Sequence, residues 1–120
     1  MTERDRLHLE YIRESIERIE EYTDGGSEDR FRRHALVQDA VLRRLETLAD
    51  ASHKLPETLK ERHPEIRWRM VYAFGNIAAH AYTQIDLERV WEIVRDHLPA
   101  LRQAVVEELH GIERDDAVPG

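Results

Sequence analysis

Leu9, Ile12, Ile16 and Ile19 are spaced by three, four and three residues. That is the repeat of one apolar stripe on an amphipathic helix, and it predicts a first helix from about Asp5 to Tyr22. Asp24-Gly25-Gly26 ends it, and Ser27 offers a side-chain oxygen to cap the next helix. From about Asp29 to Lys54 two apolar rows run side by side, Val37, Val41, Leu45, Leu48 and Phe31, Ala35, Gln38, Leu42, Ala49. A face that wide meets more than one neighbour. Pro56 and the His63-Pro64 pair bracket a connector, within which Pro56-Glu57-Thr58-Leu59 suits a short helical turn.

A third helix is expected from about Ile66 to Ala81. Its apolar stripe reads Trp68, Tyr72, Gly75, Ala79 and Tyr82, and a second row reads Arg69, Ala73, Asn76 and His80. The fourth starts at Asp86, read as an N-cap with Ile85 stapled to Val90. It continues through Val94, Leu98, Leu101, Val105 and Leu109 to Ile112, with Pro99 bending or restarting it near Asp96 to Leu98. No stretch alternates as a strand does. The pattern predicts an all-α antiparallel bundle of four to five helices, one domain over 1–114 and a frayed tail over 115–120.

Composition narrows the chemistry. The 120 residues contain no cysteine, which excludes disulfides, thiolate metal sites and a cysteine nucleophile. No apolar run approaches the roughly 20 residues that span a bilayer, and M-T-E-R-D-R-L-H lacks a signal peptide's apolar segment. A cytoplasmic protein with no membrane association is expected. The net charge of −7 argues against a broad basic surface for nucleic acid, so RNA, if bound, must meet a local group of arginines. His53 and His63 flank the connector without a second ligand at metal-like spacing, and His8, His34, His97 and His110 read as solvated. No metal and no cofactor are expected.

The densest chemistry lies in A-F-G-N-I-A-A-H-A-Y, Ala73 to Tyr82. A glycine inside a helix costs about 1 kcal/mol relative to alanine, a loss that close approach of another helix offsets. His80 can exchange a proton near neutral pH, Asn76 precedes it by one turn, and Tyr82 follows by two residues. Spacing alone leaves His80 open between a structural hydrogen-bonding residue and a proton-transfer group.

Over nearly its whole length the chain resembles the HepT-like toxins of the HEPN superfamily, ribonuclease partners of minimal nucleotidyltransferase (MNT) antitoxins. Y-I-R-E-S-I-E-R-I-E-E-Y is similar to the family's first helix. V-Q-D-A-V-L-R-R-L-E-T-L-A-D-A is similar to its second, where members commonly have Gly-Glu-Ala in place of Ala49-Asp50-Ala51. H-P-E-I-R-W-R-M-V-Y-A-F-G-N-I-A-A-H-A-Y-T-Q-I-D-L-E-R-V-W-E-I-V covers the signature region. The resemblance implies an all-α HEPN-like homodimer that cuts RNA without a metal, inside a toxin–antitoxin pair. It implies His80 and Asn76 as catalytic residues facing a second copy across a cleft. It also implies Tyr82 as the modification site at which the nucleotidyltransferase attaches adenylyl groups.

The family's motif is an arginine, a polar residue and a histidine, and here the arginine position is Gly75. Three accounts stay open: a weakened homologue, an arginine replaced by design, and substitution by Arg69 acting in trans from a second copy. The alternative function is a non-enzymatic HEPN binding module that docks a nucleotidyltransferase or a nucleotide through the same face.

Overall fold

The structure, a computed structural model, describes the backbone of residues 1–24 and 26–117 and side chains up to residue 112. Every regular element among the described residues is helical. Helix α1 spans Glu3–Thr23, closed at its start by a reciprocal box in which Thr2 and Asp5 each accept the other's backbone N–H. Leu9, Ile12, Ile16 and Ile19 are fully buried, as their spacing predicts. Burial of each such side chain contributes about 1.5–3 kcal/mol.

The second predicted helix is two. Helix α2 (Glu28–Arg32) is capped by Ser27, whose hydroxyl accepts from the Arg30 N–H. Helix α3 (Ala35–His53) restarts on His34, whose Nδ1 accepts from the Val37 N–H at 3.3 Å. A histidine in the N-cap role carries none of the usual cap signal, so the break was hidden in the pattern. A short α4 (Glu57–Glu61) follows Pro56 as expected, and α5 covers Trp68–Ala79.

The last helical stretch has three parts: α6 (Gln84–Glu92), a π-helical turn (Ile93–His97) and α7 (Leu98–Ala117). Pro99 has no N–H to donate, and the preceding turn is widened so that the Leu98 N–H reaches back five residues to the Ile93 carbonyl. The irregularity falls where Pro99 is expected to bend or restart the helix, with α7 beginning at Leu98 directly after the π-helical turn. The last three residues of the tail expected to fray, 118–120, lie outside the described residues.

Helix α3 sits centrally, packed on α1 along one side and on α5 along the other, and α7 closes against α1. Phe74, Leu45, Leu48, Leu59, Leu98 and Leu101 fill the space between. Among the described residues no helix is long and apolar enough to cross a membrane.

Candidate functional site

Helix α5 is apolar on two sides, and the side expected to be buried is not. Val71, Phe74 and Ala78 turn into the core, whereas Tyr72 and Ala79 on the expected stripe are exposed. Tyr72 is 53% exposed and Tyr82 is 81% exposed. A helix apolar all round gives no period by which to choose its inner face; the fit of Phe74 into the core decides it. The result is an outward face of Arg69, Tyr72, Ala73, Asn76, Ala79 and His80.

Gly75 lies at the edge of this face, against α3. A β-carbon placed on it would stand 3.2 Å from the Ala49 Cβ and 3.7 Å from the Glu46 carbonyl oxygen. The glycine is thus a point of close helix approach, as its apolar neighbours suggested. Beside it an open groove of about 590 Å³ is lined by Glu46, Asp50, Tyr72 and Asn76.

His80 terminates α5 and is exposed. Its Nδ1 lies 2.9 Å from the main-chain oxygen of Asn76. A carbonyl oxygen only accepts, so Nδ1 carries the hydrogen, and Nε2 of the neutral ring is a bare acceptor facing outward. The Asn76 carboxamide has no partner among the described residues. The Tyr82 ring meets His80 edge-on, with centroids 6.3 Å apart at 76°.

What fixes Tyr82 is the next helix start. Asp86 is not the N-cap of α6. Thr83 is, and Asp86 stands three residues on in a capping box, accepting from the Thr83 N–H at 3.1 Å and from the Tyr82 N–H at 3.2 Å. Hydrogen bonding from Thr83, side chain and backbone, holds the Asp86 carboxyl below the usual range, with the Tyr82 N–H and the Arg89 charge adding to it. Ile85 is 71% exposed, so the expected staple to Val90 does not form.

Arg69 lies eleven residues before His80 on the same helix, about 16 Å along its axis. It lines a separate groove beside His53 and Trp68, and only a second copy could bring Arg69 and His80 together.

Other histidines depart from expectation. His63 is buried, 6% exposed, with Nε2 2.7 Å from Glu108 Oε1 and Nδ1 3.1 Å from Glu65 Oε1. Glu108 also accepts a bidentate pair from Arg62, at 3.0 and 2.9 Å. His97 is half-buried against Phe74 and His8 is half-buried on α1. Nothing in the sequence pairs residues 63 and 108. The indole N–H of Trp68, donated to the Lys60 and His63 carbonyls, folds the connector back so that His63 faces α7. Among the described residues no three His, Cys, Asp or Glu side chains are grouped to hold a metal ion.

Comparison with known proteins converges on one family. The profile described as "Ribonuclease HepT-like" matches residues 12–108. "Probable ribonuclease HepT" of Thermococcus cleftensis is 37% identical over 95 residues, 79% of this chain and 86% of that protein. "Gamma-glutamylcyclotransferase and putative RNase MJ0434" of Methanocaldococcus jannaschii is 33% identical over 110 residues, 92% of this chain and 50% of that protein, so the chain spans about half that relative's length. No solved structure shows a significant match.

Proposed function

The chain belongs to the HepT-like ribonuclease family, and from that premise we propose that it is a metal-independent RNA endonuclease whose proton-transfer group is His80. The observation that carries this reading is the fixed imidazole: Nδ1–H is donated to the Asn76 carbonyl at 2.9 Å, and Nε2 is left bare on an exposed helix end. Nε2 takes the proton of a ribose 2′-hydroxyl as its oxygen bonds to the adjacent phosphorus. The bond from phosphorus to the 5′-oxygen breaks, and that oxygen takes a proton from a second imidazole, leaving a 2′,3′-cyclic phosphate.

One chain supplies one such histidine at this face, so the reaction calls for two copies meeting along α5. The exposed Ala79 and half-buried Ala73 beside Asn76 support such a contact, because an unpartnered apolar helix face is stabilised by burial. Asn76 orients the phosphate. Tyr82 is the modification site for a partner nucleotidyltransferase of an antitoxin: its ring touches His80 and its hydroxyl end stands in solvent. An adenylyl group there places a bulky anion at the cleft and excludes RNA.

RNA cleavage by the purified protein in EDTA, compared with His80→Ala, tests the reading. The expected loss is about 10²- to 10⁴-fold. Cleavage unchanged in the variant, or a strictly monomeric active protein, overturns it.

Gly75 favours a second reading, a non-enzymatic binding module. The arginine position offers no side chain, so the charge developing on phosphorus lacks one donor, which typically costs about 10²- to 10³-fold. Capture of a nucleotidyltransferase by His80→Ala, with no RNA cleavage by the parent, selects this reading.

A further inference from the structure

One turn before Asn76, the outward face of α5 opens onto a groove of about 420 Å³ between α5 and the α3–α4 connection. Its floor is an aromatic platform. The rings of His53 and Tyr72 are stacked, with centroids 4.2 Å apart at 30°, and both residues are exposed. Trp68 forms the inner wall with its N–H already committed to the Lys60 and His63 carbonyls. Lys60 is satisfied as well, near Glu57 at 3.6 Å and donating to the His53 carbonyl at 3.4 Å.

Arg69 differs. It is exposed, lines the groove and has no ion-pair or hydrogen-bond partner among the described residues. An open aromatic stack beside an unpaired guanidinium is the recognition chemistry of a single-stranded polynucleotide: the rings take a base, the cation takes its phosphate.

We infer that the His53–Tyr72 platform with Arg69 is an auxiliary subsite that stacks an unpaired base of RNA and holds its phosphate, beyond the linkage at His80. The inference rests on the ribonuclease reading for its orientation: Tyr72, Asn76 and His80 follow at four-residue intervals on one face, and Tyr72 lines both this groove and the one beside Gly75. About 12 Å of helix axis separates residue 72 from residue 80. A strand held at the platform is therefore led along the face toward the imidazole. Because stacking is indifferent to base identity, the subsite supplies grip for unpaired RNA rather than sequence preference.

The test is binding of a fluorescently labelled 2′-O-methyl oligouridylate, which has no free 2′-hydroxyl to cleave, followed by anisotropy. Tyr72→Ala is expected to raise Kd about 5- to 150-fold, the range for losing one base–aromatic stack. Tyr72→Phe keeps the ring and retains affinity. Arg69→Ala weakens binding and lowers the slope of log K against log salt by about 0.7, one phosphate contact on a single strand. Leu36→Ala, an exposed side chain that lines neither groove, leaves Kd unchanged.

Kd within about twofold of the parent in both Tyr72→Ala and Arg69→Ala, alongside His80-dependent cleavage, overturns the subsite and leaves the ribonuclease reading standing. Platform-dependent binding without any cleavage does the reverse. No binding of the oligonucleotide by the parent overturns the subsite. So does dissociation of a dimer by Tyr72→Ala, which would make this face a subunit contact. A fall in kcat with unchanged KM in Arg69→Ala likewise overturns it, by placing the guanidinium at the reacting phosphate.

Discussion

Gly75 packs tightly against Ala49 where α5 meets α3: a β-carbon on residue 75 would lie 3.2 Å from the alanine methyl. Two opposed effects meet there. Replacing the helical glycine with alanine gains about 1 kcal/mol of helix propensity, and overpacking a helix contact costs about 1–3 kcal/mol. Gly75→Ala alone is therefore expected to leave the protein no more stable, or to destabilise it by up to about 2 kcal/mol. Ala49→Gly removes the obstructing methyl, so the two changes together should be coupled favourably by about 0.5–3 kcal/mol. A double-mutant cycle in urea measures this, and strict additivity would show that the contact constrains nothing.

The same geometry sets the terms for restoring an arginine. Gly75→Arg alone must force α3 and α5 apart by a few tenths of an ångström, disturbing the helix that carries His80. In an Ala49→Gly background the β-carbon fits. The double variant is expected to cleave RNA about 10²- to 10³-fold faster than the parent, the usual worth of one transition-state donor. Single-turnover rates with EDTA present decide it; equal rates in parent and double variant would mean that residue 75 does not face the reacting phosphate.

The helices were legible where one apolar stripe had one meaning. Leu9 to Ile19 and Leu98 to Leu109 read correctly because each row is apolar on one side only. Helix α5 defeated the same procedure, since Tyr72 and Ala79 are as apolar as Val71 and Ala78, and periodicity could not say which pair faces Phe74's neighbours. The break at His34 escaped because imidazole is an uncommon cap. Asn76, His80 and Tyr82 could be singled out from residue type and spacing, and His80 does lie on the surface. The groove of His53, Tyr72 and Arg69 was not legible, because it depends on how the connector folds over Trp68, and neither was the tie from His63 to Glu108, 45 residues apart.

Tyr82 owes its position to a cap that can be removed without touching the ring. Thr83→Ala deletes the oxygen that accepts from the Asp86 N–H at 3.1 Å, at a typical cost of about 1 kcal/mol. Asp86→Asn weakens the other half of the box, including the bond from the Tyr82 N–H. Both should speed amide exchange of Tyr82 and the first turn of α6, leaving α1 and α3 protected. Because the folded Asp86 carboxyl titrates below its ordinary value near 3.8, its contribution is complete above that value and disappears as pH falls through the lower, folded one. Exchange rates at Tyr82 that ignore both substitutions would mean that the cap does not hold this loop.

A second acid-sensitive tie lies far from His80, between the connector and α7. Bidentate hydrogen bonding from Arg62 is the main cause that lowers the Glu108 carboxyl from its ordinary value near 4.5, and the His63 ring adds to it. The native state consequently binds fewer protons than the unfolded chain in this window, and stability rises with pH across it. The tie is fully present above about 4.5 and is lost as pH falls through the folded value. Glu108→Gln keeps the shape and one acceptor for His63 but carries no charge. It should lower stability at neutral pH by about 1–2 kcal/mol, the range for a charge-assisted hydrogen bond reduced for the solvent around Arg62, and it should flatten the acid limb of stability against pH. Glu88→Gln, an exposed carboxylate with no hydrogen-bond or ion-pair partner among the described residues, provides the control and should leave that limb unchanged. Denaturant midpoints collected from pH 3 to 7 on all three proteins give the comparison. An acid limb in Glu108→Gln as steep as the parent's would assign the protons to other carboxylates and leave the His63–Glu108 contact a matter of packing alone.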